Sequence, residues 1–264
     1  MKKTTLALIC SLMAFAVGTV MAQEKPQIKT SDGWITVDSI KSDPGGTITF
    51  MKGGVPKTIT PAQILEAKIP DPSDLRTAAT LMAQDPPAYD AAIPRLEKVI
   101  KEYRNLQHDV GASVMLARCY LGKGDAAAAV TVYDKLAANN PTANDDPLVR
   151  GGRWEASIKS GKYGRVQNEL ESAITGPDRK LAAVAQMRRG DLNMEKKDYD
   201  AAIMDYMRTM LFFKNDANTE TRAEATYRAA EALRFKKDNR SATLFKRVGE
   251  EFPGTVWAAK AANL

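Results

Sequence analysis

The stretch Leu116-Ala117-Arg118-Cys119-Tyr120-Leu121-Gly122-Lys123-Gly124-Asp125-Ala126-Ala127-Ala128-Ala129-Val130-Thr131-Val132-Tyr133-Asp134-Lys135-Leu136, with Pro141 beyond it, decides how the rest of the chain is read. Apolar residues recur at three and four on either side of Gly124-Asp125, so two amphipathic helices joined by a tight glycine turn are predicted. Ala117 on the first helix and Ala129 on the second are small enough for the two axes to approach closely, while Tyr120 and Tyr133 fill the space beside that contact. Pro141 sits where the second helix must stop.

The same unit recurs in both directions. Tyr89-Asp90-Ala91-Ala92 precedes it; Gly161-Lys162-Tyr163 with Val166, then Asp198-Tyr199-Asp200-Ala201-Ala202, follow it. The anchors Ala92, Ala129, Val166 and Ala202 are separated by 37, 37 and 36 residues. A fifth unit is recognisable from Tyr227, Ala230, Ala242, Phe245 and Phe252-Pro253, after a longer step of about 40 residues from Ala202 to Ala242. Steps this regular are the signature of a stacked array in which no unit buries its apolar face alone.

The pattern Leu116-Ala117, Tyr120, Gly124-Asp125, Ala129, Tyr133, Leu136, Pro141 resembles the tetratricopeptide repeat family, departing from it at Ala126 and Leu136. The resemblance implies a mostly α fold, an α-α superhelix of about five hairpins over residues 73–264, with residues 255–264 as a capping helix. Val248 to Ala259 is also similar to repeat endings in cell-envelope proteins such as the Tol-Pal coordinator and outer-membrane assembly lipoproteins. Arg153 and Arg189 stand at expected Leu positions, leaving the register of the third and fourth first-helices open.

Upstream the period changes. Trp34 to Ile40, Thr47 to Met51 and Lys57 to Thr60 alternate in strand fashion between Gly-rich turns, predicting a three-stranded β-module over residues 23–69, as a meander or a small SH3-like barrel. Trp34 and Phe50 are expected in its core. Residues 70–72 read as a linker and Ser73 as an N-cap. Residues 1–22 read as a secretory signal: Lys2-Lys3, an apolar stretch from Leu6 to Val17, and Val20 and Ala22 before a cleavage site at Gln23. Export to the periplasm is therefore expected, with secretion or peripheral outer-membrane association as alternatives. Cys10, preceded by Ile9, does not fit a lipidated cysteine.

Removing Lys2 and Lys3 leaves 36 basic against 32 acidic side chains, a mild net charge of +4 that alternates in sign along the helices, unlike the concentrated stripe of a nucleic-acid binder. One histidine and two cysteines provide no common zinc site and no disulfide framework. His108 is read as an exposed residue of a polar inter-repeat loop, and Cys119 as a small buried apolar residue. Gly45-Gly46, Gly53-Gly54 and Gly151-Gly152 are read as turns or helix punctuation, since none joins a strand to a helix N-terminus as a phosphate cradle requires. No catalytic constellation is found, and neither an enzyme activity nor a cofactor or metal is expected.

The expected function is protein binding by a non-enzymatic scaffold or assembly factor of the cell envelope. The family resemblance places groove residues at set positions of each first helix, which here are Val114, Arg118 and Leu121, with Gly111, in the second unit, and Met187, Asp191 and Met194, with Val184, in the fourth. That mix suits a peptide or helix as partner. Met187, Met194, Met204, Met207 and Met210 also stand at helical spacing, which favours a core role. The alternative function is cell-wall or glycan binding through the β-module, using Trp34 and Phe50 as a stacking surface.

Overall fold

A computed structural model describes residues 24–43 and 45–264. The expected signal segment, residues 1–22, lies outside the described residues. Among them the chain forms six strands and then eleven α-helices.

The β region is β1 (Gln27–Thr30), β2 (Gly33–Thr36), β3 (Ser39–Ser42), β4 (Ile48–Lys52), β5 (Val55–Ile59) and β6 (Glu66–Lys68). They make two antiparallel sheets, ordered β2-β1-β6 and β3-β4-β5, in place of a single three-stranded meander. The expected strand from Trp34 to Ile40 is divided because the chain changes sheet there. The Val37 amide donates to the Pro26 carbonyl at 2.9 Å, and the Asp38 amide donates to Met51 of the other sheet at 2.7 Å. The Asp38 carboxylate fixes this corner by accepting from Lys25 Nζ at 2.6 Å and the Gly53 amide at 2.8 Å. Alternation then places Ile28, Val37, Ile40, Ile48 and Phe50 inside. Phe50 is in the core as expected; Trp34 is not, being 42% exposed, because Ile35 and Val37 take the inward positions of that segment.

The β core is completed from outside. Leu106, on the connection after α2 (Tyr89–Glu102), is buried within it. Gln107 Oε1 accepts from the Ile69 amide at 2.9 Å, and His108 Nε2 donates to the Ile69 carbonyl at 2.8 Å. His108 is therefore buried rather than exposed, against the sequence expectation, since a carbonyl sealed beneath a docked sheet needs a donor. Ser73, expected as an N-cap, is the first residue of α1 (Ser73–Met82), and Pro72 occupies the capping position.

The remaining helices are α3 (Asp109–Gly122), α4 (Ala126–Asn139), α5 (Pro147–Lys159), α6 (Tyr163–Thr175), α7 (Arg179–Glu195), α8 (Tyr199–Phe212), α9 (Thr219–Phe235), α10 (Arg240–Glu251) and α11 (Val256–Ala262). Odd-numbered helices form one row, α3 against α5, α5 against α7, α7 against α9 and α9 against α11, and each even-numbered helix packs between the two odd-numbered helices that flank it in sequence. The hairpin turns share one geometry. Gly124, Gly161, Lys197 and Lys237 all have φ between 58° and 81°. After each, the next amide donates to the carbonyl five residues earlier, as from Asp125 to Tyr120 and from Asp238 to Leu233. Two of these left-handed positions carry a lysine, where a side chain crowds the backbone. The step of 40 residues between Lys197 and Lys237 comes from α8 being one residue longer than α6, and from a six-residue connection after α8 where α6 has three.

Ala117 and Ala129 are fully buried where α3 meets α4. In the third hairpin Trp154 and Val166 occupy the corresponding positions. Trp154 is buried, its Nε1 donating to Glu169 Oε2 of α6 at 2.9 Å, and its bulk holds α5 and α6 apart. The close approach of α5 moves instead to its other neighbours. A Cβ built on Gly151 lies 2.5 Å from Val184 of α7, and one on Gly152 lies 2.0 Å from the Tyr133 hydroxyl of α4. These two glycines are thus interior packing positions of a helix and not turns or punctuation, as their pairing in the sequence had indicated.

Candidate functional site

Three first-row helices, α5, α7 and α9, lie side by side and enclose a groove of about 380 Å³. Glu155 and Lys159 of α5, Asp191 and Met194 of α7, and Glu231 and Phe235 of α9 line it. Its floor is ionic. Arg188 reaches Glu155 at 3.3 Å, Asp191 at 2.7 Å and Glu224 at 3.0 Å, and its Nε donates to the Gly151 carbonyl at 3.2 Å. Arg228 continues the network to Glu224 at 3.8 Å and Glu231 at 3.1 Å, and Tyr206 of α8 donates to Asp191 at 2.8 Å.

Four carboxylates thus face two guanidiniums, and the buried groups divide accordingly. Burial pushes the Asp191 carboxyl up, but Arg188, Arg228 and the Tyr206 hydroxyl together hold it below its ordinary value. Burial likewise raises the Glu224 carboxyl, and there the nearby Asp191 and Glu155 charges help keep it above its ordinary value despite Arg188 and Arg228. The arrangement cross-braces three helices and gives the groove a fixed charge pattern. At one end Phe235 and Tyr199 stack with ring centroids 5.5 Å apart, adding an exposed aromatic surface.

Of the residues expected to line a partner groove, Asp191 and Met194 come together here. Met187 does not: it is buried between α7 and α8 with Ala202, Tyr206 and Met210, because its side of α7 faces its hairpin partner rather than the groove. Val114 and Leu121 are half-buried and pack against the cluster of Ala117, Val130 and Tyr133, while Arg118 is exposed on α3. Met204, grouped with the other methionines as core, is 53% exposed, since the inward face of α8 is taken by Ala202, Tyr206 and Met210.

Arg188, Glu224 and Arg228 escaped the sequence reading, although a signal existed. Gly151 and Arg188 are 37 residues apart and Arg188 and Glu224 are 36 apart, as are Glu155 and Asp191, with Arg228 a further 37 along. Charges repeating at the unit spacing on first-row helices form ladders across the array.

Residues 76–152 match the Tetratricopeptide repeat family. The match runs from within α1 into α5, and the helical packing continues the same arrangement through α10. No curated protein and no solved structure matches the chain. Repeats of this kind serve as protein–protein interaction modules, so proteins are the implied partners. Among the described residues no group of three or more His, Cys, Asp or Glu side chains is placed to hold a metal ion, and no helix is long and apolar enough to cross a membrane.

Proposed function

We propose that this chain is an exported, non-enzymatic scaffold or assembly factor of the cell envelope that holds a protein partner in the groove between α5, α7 and α9. The observation that carries the reading is the groove itself: a charge pattern fixed by the Arg188 and Arg228 network beside the flexible Met194 and the exposed Tyr199–Phe235 stack. Rigid charge sets the register of a peptide and adaptable apolar side chains take up its bulk. Export rests on the signal-like residues 1–22, and the envelope setting on the similarity of the C-terminal repeat ending to envelope proteins.

Crosslinking in intact cells followed by affinity capture tests this reading. Met194→Glu combined with Phe235→Ser alters the groove lining without touching the network; loss of specific partners is expected. Undiminished recovery of every partner by the folded variant refutes the groove. Fractionation of cells producing the full chain tests export, which retention in the cytoplasm refutes.

One observation favours a second reading in which the β region, proposed as SH3-like, binds a cell-wall polymer. Trp34 is exposed rather than buried, with Lys68 Nζ 4.5 Å and Lys29 Nζ 5.9 Å from its ring centroid. Retention of the full chain, but not of Trp34→Ala, on purified peptidoglycan supports it; equal retention refutes it.

A further inference from the structure

A second concavity lies near the other end of the array, where α2 and α4 each pack along α3 and leave a trough between them. It measures about 560 Å³, within the range of small-ligand sites, and its two ends differ in chemistry. Because α2 and α4 run in the same direction and α3 runs back between them, residue numbers order the lining. Tyr120 and Ala128 lie at one end and Leu116 and Val132 along the middle, with Ile100 and Leu136 beside the far end. Lys101, Arg104, Lys135 and Asn139 lie at the other, beside the last turns of α2 and α4.

The polar end is bridged by a hydrogen bond. Arg104 donates to Asn139 Oδ1 at 2.7 Å, linking the chain just after α2 to the end of α4. Asp109, buried at this end, already accepts from the Asn105 and Val110 amides at 2.9 Å each. Lys101 and Lys135 are exposed and make no ion pair among the described residues. Glu97, one turn before Lys101, is the carboxylate on the trough's α2 wall.

We propose that this trough binds a single-chain carboxylate amphiphile, a fatty-acid-type ligand, with its head between Lys101 and Lys135 and its tail along Ile100, Leu116 and Val132 toward Tyr120. An apolar channel ending in paired cations matches a hydrocarbon tail ending in one negative charge, and it does not match a neutral or cationic head of the same tail length. The site is separate from the α5–α7–α9 groove, so it stands or falls independently of the partner reading.

Isothermal titration of the full chain with three twelve-carbon probes below their micellar concentrations tests the assignment: dodecanoate, dodecyl maltoside and dodecyltrimethylammonium. Dodecanoate is expected to bind one to one and at least tenfold more tightly than either of the others. Lys101→Glu with Lys135→Glu is expected to weaken dodecanoate at least tenfold, and Ala128→Trp, which fills the tail end, to abolish it. Circular dichroism establishes that each variant is folded. Equal affinity for all three heads, absence of dodecanoate binding, or a double lysine variant that loses thermal stability but keeps its affinity overturns the proposal. In the last case the lysines act only on the helix C-termini, where positive charge is favourable.

Discussion

Replacing Arg188 by Met removes the centre of the buried network while keeping much of the side chain's apolar length. Arg188 is 7% exposed and serves three carboxylates and one carbonyl from three helices. After its loss Arg228 alone faces Glu155, Asp191, Glu224 and Glu231, so the formal charge of the cluster falls from −2 to −3. Removing one partner of a buried ion network costs about 3–5 kcal/mol, a large part of the roughly 5–15 kcal/mol by which a domain is stable. The loss depends on pH in a defined direction. Glu224 already has a raised carboxyl in the intact network, and without Arg188 it rises further. A carboxyl whose folded value exceeds its unfolded value lets the folded state bind more protons, so stability is lost as pH rises through that folded value and regained on acidification. Urea denaturation of both proteins at pH 7.5 and pH 5.0 measures it: the gap between them narrows at pH 5.0. Adding Glu224→Gln to the Arg188→Met chain recovers at least about 1 kcal/mol at pH 7.5, since it removes an uncompensated buried charge. A gap under 1 kcal/mol, or one of equal size at both pH values, refutes the reasoning.

Three further outcomes are expected. Ala129→Leu overpacks the fully buried contact between α3 and α4 and costs about 1–3 kcal/mol, whereas Ala127→Leu on the exposed side of α4 changes the melting temperature little; similar melting temperatures contradict the register. Lys197→Gly and Lys237→Gly relieve left-handed backbone at φ 61° and 58° and each stabilise by up to about 1 kcal/mol, read by thermal denaturation, and neutral or destabilising values contradict this. Burial pushes the Cys119 thiol up to about 11, so a disulfide reagent at pH 8 reacts with the native chain far more slowly than with the urea-unfolded chain, and equal rates contradict it.

The helical part was legible because its information is local and repeated. A small residue, a turn former and an aromatic at fixed offsets specify a hairpin, and recurrence at 36 to 37 residues specifies a stack. Where the sequence reading failed, the deciding partner was remote. His108 sits in a polar stretch, and only the carbonyl of Ile69, thirty-nine residues earlier, makes it interior. Trp34 lies in an alternating run whose inward phase is set by pairing with β1, a strand the turn signals did not reveal. Met187 and Met194 stand seven residues apart at positions the family resemblance places in the groove, yet one faces α8 and the other the groove. The ionic floor was missed because residue-by-residue reading treats charges on helices as solvated; at the unit spacing, Arg188 and Glu224 are neighbours.

Trp154 has a consequence for how the array comes apart. A hairpin whose two helices are wedged open is a poor folding unit by itself, and α5 and α6 each depend on α7 for contacts their own pairing does not provide. Opening of the third repeat is therefore expected to carry the fourth with it, so that these two open as one cooperative block. The groove is built within that block, together with the first helix of the next repeat. The least independent repeat in sequence terms thus gives the binding surface a common fate, present as a whole or absent as a whole.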